Sequence, residues 1–121
     1  MICVSNSDEG KYLINPALVL FIVVTNDNSN KVFFHDKIVT VDNASLEVLT
    51  ANFNWIQIYD SHNDMCYLNE KKISAVFIED RRMFFLFDGE KFERSFPINE
   101  ENIKHPVINH MYAILSKKEG K

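Results

Sequence analysis

The chain has 121 residues, 46% of them hydrophobic and 25% charged, which is one domain able to build a core without a metal or disulfide staple. Three Gly and three Pro against ten Phe exclude a disordered or low-complexity chain. A formal charge of -4 and a pI near 5.5 weigh against a general nucleic-acid binder, because phosphate neutralisation needs clustered Lys and Arg.

Basic residues are unevenly placed. Before Asp60 they are Lys11, Lys31 and Lys37, whereas later they come in pairs such as Lys71-Lys72, Arg81-Arg82 and Lys117-Lys118. Cys3 and Cys66 form no CxxC, so neither a disulfide framework nor a structural zinc spacing is present. The start MICVSNSDEG lacks the basic and apolar regions of a signal peptide. The apolar run from Ala17 to Val24 is far short of the roughly 20 residues a membrane helix needs. These features predict a cytoplasmic protein with reduced thiols and no membrane partner. Richness in Asn, Ile, Lys and Phe points to a bacterial or phage origin.

In chain order, Leu18 to Thr25 is β-branched and short, which predicts a strand rather than a helix. Lys31 to His35 and Ile38 to Val41 read as strands around a tight turn at Asp36-Lys37. Asn43 is a candidate cap for a helical segment from Ala44 to Thr50. Asn54 to Asp60 reads as a further strand, ending in the loop Ser61-His62-Asn63-Asp64. The stretch from Ile73 to Phe96 predicts three antiparallel strands. Arg81-Arg82 sits in the first turn, and Asp88-Gly89 suits a type I′ turn between Met83–Phe87 and Lys91–Phe96. Val107, Ile108, Met111, Ile114 and Leu115 form one helical stripe, with Pro106 in the first turn and Lys117, Lys118 and Gly120 at the end.

The chain carries a faint internal echo. YLINPALVLFIVV from Tyr12 resembles YLNEKKISAVFIE from Tyr67, and KVFFH from Lys31 resembles RMFFL from Arg82. This allows a duplicated unit, residues 12–50 and 67–115, inside the single domain 1–121; the alternative is chance likeness between two Phe-rich meanders. The expected fold is α+β and mostly β: antiparallel meanders in a two-layer sheet or partial barrel, with a C-terminal amphipathic helix. Strands such as Leu18–Val24 and Met83–Phe87 are apolar on both faces. One helix cannot cover both, so a second layer or a second copy is required, and a homodimer is the expectation.

Catalytic signatures are missing from the sequence. With three scattered glycines no GxSxG, Walker or GxGxxG pattern exists. Glu79-Asp80 and Glu100-Glu101 read as solvated turn and helix-start residues. His62, Asp64 and Cys66 have metal-ligand chemistry but alternate at a loop tip, so no metal or cofactor is expected. The chain therefore reads as a non-enzyme that recognises by surface aromatics and arginines: Arg81, Arg82, Phe84, Arg94, Trp55 and Tyr59. The predicted role is a small protein that binds another protein, such as an inhibitor, immunity or phage counter-defence protein. The alternative is a nucleotide or small-ligand sponge at a subunit junction, its arginines meeting phosphates. Nucleic acid is the partner that this reading disfavours.

Overall fold

The computed structural model describes residues 1–6, 10–25, 27–51, 54–87, 90–91 and 95–119. Strand β1 (Ile2–Asn6) pairs with β2 (Gly10–Ile14) in a two-stranded sheet. The middle sheet contains β3 (Phe21–Val23), β4 (Asn30–Phe33), β5 (Ile38–Val41), β6 (Trp55–Tyr59) and β7 (Met65–Asn69), in the order β5-β4-β3-β7-β6. Helix α1 (Asn43–Ala51) connects its two edge strands. The third sheet is centred on β9 (Arg82–Phe87), with β8 (Ile73–Glu79) along one side and the short β10 (Glu90–Lys91) and β11 (Phe96–Pro97) also paired to it. Every pairing is antiparallel. Helices α2 (Glu100–Ile103) and α3 (Pro106–Glu119) follow.

The mostly-β α+β fold with a C-terminal helix is as expected, and it is an open stack rather than a closed barrel. Its layers number three, because successive side chains on a strand point to opposite faces. On β3, Phe21 and Val23 enter one core with Ile58, Leu68, Phe85, Phe87, Phe96 and Ile108. Ile22, between them, enters a second core with Val4, Ile14, Val32, Val41 and Leu49. Ile22 and Val23 are both fully buried, and each such side chain contributes about 1.5–3 kcal/mol. The homodimer expectation rested on an uncovered face of strands such as β3. That face of β3 is covered from within the chain by the β1–β2 hairpin and α1, whereas the β9 face carrying Phe84 and Leu86 is only half-buried and belongs to neither core.

Two 3₁₀ turns carry the chain from sheet to sheet. Pro16–Leu18 leads from the first sheet into the middle one, and Glu70–Lys72 leads from the middle one into the third. Each starts with an Asn whose side chain accepts a backbone N–H two residues on: Asn15 from Ala17 at 3.1 Å, Asn69 from Lys71 at 3.2 Å. This Asx geometry is the local form shared by the two Tyr-Leu segments. Asn69 also locks the two turns together. Its buried Nδ2 donates to the carbonyls of Val19 at 2.8 Å and Ala17 at 3.4 Å, and its backbone N–H donates to Leu20 O at 3.0 Å.

Other boundaries shift by small, explicable amounts. The strand expected over Leu18–Thr25 is shortened because Leu18 closes the 3₁₀ turn. Helix α1 is capped by Asp42 rather than Asn43: Asp42 Oδ1 accepts the Ser45 N–H at 2.8 Å, and Asp42 Oδ2 accepts the Ser5 hydroxyl at 2.8 Å. The turn after β8 is Asp80-Arg81, one residue earlier than Arg81-Arg82. Its φ angles of 55° and 62° are both left-handed, as a two-residue type I′ loop requires. The Asp88-Gly89 turn lies outside the described residues.

Replacing Asn69 by Ala orphans the buried Val19 carbonyl and removes the partners of the Ala17 carbonyl and the Lys71 N–H, so urea unfolding should show a loss of about 1–3 kcal/mol, against at most about 1 kcal/mol for Asn15→Ala at its exposed turn. Arg81→Gly relieves a left-handed side chain and should raise stability by about 0.5–1 kcal/mol in the same assay. Bonds from the Ser45 N–H, then the Ser45 and Ser5 hydroxyls, hold the Asp42 carboxyl below its ordinary value. Its contribution is present above the unfolded value of about pH 3.9 and fades as pH falls through the lowered one, so Asp42→Asn should flatten the acid limb of a pH–stability curve.

Candidate nucleic-acid interface

The stack has two unlike ends. Both sheet-crossing turns lie at one. The other carries the described residues of the loop after β3 (24–25 and 27–29), the β6–β7 loop (60–64), the β8–β9 turn (80–81) and the approach to α2 (98–99). Four described non-glycine residues have positive φ: Asn28 and Asn63 at 64°, with Asp80 and Arg81. All four belong to the loop end.

Backbone and side-chain hydrogen bonds join these loops into one rim. Asn28 Oδ1 accepts the Asn43 N–H at 2.8 Å, and buried Asn30 Nδ2 donates to Asn43 Oδ1 at 2.9 Å. The Val24 N–H donates to Met65 O at 2.9 Å, tying the first loop to the second. Ser61 N–H donates to Ser95 O at 2.8 Å, and Ile98 N–H donates to Arg81 O at 3.3 Å. Asn102 fastens α2 to β6, its Oδ1 accepting the Tyr59 N–H and its Nδ2 donating to Tyr59 O, both at 2.9 Å. It thereby occupies hydrogen-bonding groups that an edge strand otherwise leaves open.

Loop 60–64 is organised by one carboxylate. Buried Asp60 accepts the N–H groups of His62 and Asp64 through Oδ1, both at 2.9 Å, while its own N–H donates to Asp64 O. The result presents His62 and Asn63 to solvent at the tip. Cys66 is buried below, its thiol 3.9 Å from Asp60 Oδ2, so His62 and Cys66 are held apart rather than on one ion. Among the described residues no group of three His, Cys, Asp or Glu is placed to hold a metal.

Charge on this rim is mixed. Arg81 and Arg82 are exposed, and among the described residues neither has an ion-pair partner. Lys104 pairs with Glu101 at 3.4 Å. Asp27, Asp64, Asp80, Glu79, Glu100 and Glu101 supply negative charge nearby. The Asp27 carboxyl is engaged locally. The Thr25 hydroxyl foremost holds it below its ordinary value, and its Oδ1 also accepts the Ser29 N–H at 3.1 Å.

The six residues expected to form one recognition patch do not converge. Arg81 and Arg82 reach the rim. Phe84 lies on the outer face of the third sheet, half-buried and stacked on Phe77 with centroids 5.1 Å apart and planes 8° apart. Trp55 and Tyr59 do share a face, but of the middle sheet. Trp55 packs there in the second core, edge-on to Tyr67 at 6.4 Å, and burial together with Tyr59 raises the Tyr67 hydroxyl above its ordinary pKa. Arg94 lies outside the described residues. The rim also exposes Asn28, which the sequence analysis did not single out, and His62 and Asn63, which it placed in a loop.

No protein-family model matches the chain, and no curated protein matches it. In the described residues no helix is long and apolar enough to cross a membrane. Among solved structures, the chain is similar to the LytTr DNA-binding domain of a protein described as a methyl-accepting/DNA response regulator from Bacillus cereus. The TM-score is 0.57 at 13% identity, and the match covers 94% of each chain. This likeness corrects three expectations: the protein-blocking inhibitor, immunity or counter-defence role, the nucleotide or small-ligand sponge, and the disfavouring of nucleic acid as partner. A net charge summed over the whole chain does not locate charge: Arg81 and Arg82 are exposed on the rim, and among the described residues neither has an ion-pair partner.

Proposed function

We propose that the chain is a non-enzymatic DNA-binding domain, acting in the cytoplasm, that presents its loop rim to the duplex. The observation that carries this reading is the fold correspondence with a DNA-binding domain over 94% of both chains. Fold alone does not settle function, so the rim chemistry has to be compatible as well. Arg81 and Arg82 are suited to phosphate oxygens, which set position and register. Asn28, His62 and Asn63 stand exposed at turn tips, and the Asn63 amide can pair with the donor–acceptor edge of adenine.

The acidic residues on the rim have a measurable consequence. With two unpaired arginines at the contact, few counterions are released, so binding leans on groove contacts more than on charge. Fluorescence anisotropy with labelled duplexes at several salt concentrations should give log–log slopes no steeper than about −3, since each neutralised phosphate contributes about −0.9. Selection from a random duplex pool should return a preferred sequence, which Asn63→Ala relaxes. Failure to bind any duplex at low salt would overturn the reading.

A further inference from the structure

The hairpin turn at Asp80-Arg81 faces helix α3 across a cleft of about 350 Å³, lined by Ile78, Asp80, Arg81, Ile98, Tyr112 and Ser116. Tyr112 and Ser116 are four apart on α3, so they share one helical face. Neither hydroxyl has a hydrogen-bond partner among the described residues, and both residues are half-buried. Arg81 lines the same cleft with no ion-pair partner, in a left-handed backbone conformation that an arginine adopts at a cost. A turn selected for stability alone would carry Asn-Gly at these positions.

We propose that this cleft seats one backbone phosphodiester of the bound duplex. The guanidinium of Arg81 and the hydroxyls of Tyr112 and Ser116 supply the donors, beside the apolar side chains of Ile78 and Ile98 in the same lining. The inference rests on the DNA-binding reading and adds to it a place where α3 meets the nucleic acid. Asp80 opposes an anion from the same lining, so the seat relies on direct donor contacts rather than on net field. A phosphodiester held by a polymer with other contacts can tolerate that opposition better than a free anion can.

The test measures duplex affinity of the whole chain carrying Tyr112→Phe with Ser116→Ala, Asp80→Asn, or Arg81→Gln, each first checked for an unchanged fold by circular dichroism. The double variant keeps charge and packing but removes two donors. It should bind roughly 3–10-fold more weakly with an unchanged salt slope and unchanged sequence preference. Asp80→Asn suits a left-handed turn and removes the opposing charge, so it should bind several-fold more tightly. Arg81→Gln should lower the salt slope by about 0.9. Wild-type binding with an unaffected double variant, or with no gain from Asp80→Asn, overturns the cleft proposal and leaves the DNA-binding reading standing. A wild-type chain that binds no duplex overturns both.

Discussion

One buried amide organises the molecule. Asn69 holds the two turns through which the chain changes sheets, donating from Nδ2 into one and capping the other with Oδ1. The middle sheet is apolar on both faces, so it is stable only when a layer is delivered to each. A single chain can deliver both layers only by leaving the sheet twice. Pinning both departures at one end fixes the stacking of three sheets and leaves the opposite end to loops.

That division of labour connects the fold to the proposed function. Turns with left-handed residues, an Asx-organised loop and a short capped helix are all gathered where no sheet crossing intrudes. Polar side chains such as Asn30 and Asn102 fasten these loops to the strands beneath. Loops held this way keep their exposed tips in defined positions, which is what reading base edges demands and what a mobile loop cannot offer.

Much of the architecture was legible because burial leaves a periodic trace. Phe21–Val23 and Met83–Phe87 showed two apolar faces, and the stripe from Val107 to Leu115 showed the last helix. The first hairpin was not legible, since VSNSDEGKY is polar and its strands place only Val4 and Ile14 fully in the core. Asn69 was also hidden: sequence marks it as a turn residue, and only the fold brings Ala17 and Val19 within its reach. Among site residues, the exposed turn arginines could be inferred from hairpin punctuation. Trp55 could not be assigned, because a strand aromatic belongs equally to a core or a contact surface until its facing layer is known.

The most direct test of the account is a duplex titration followed in the ¹⁵N–¹H correlation spectrum of the labelled chain, with each amide reporting its own surroundings. The loop-end account predicts that shifts concentrate in residues 27–30, 60–64, 80–82 and 98–102 and in the Tyr112–Ser116 face of α3. Shifts concentrated instead around Lys37, Lys71 and Lys72 at the crossing end, or no shifts at any site, would contradict it.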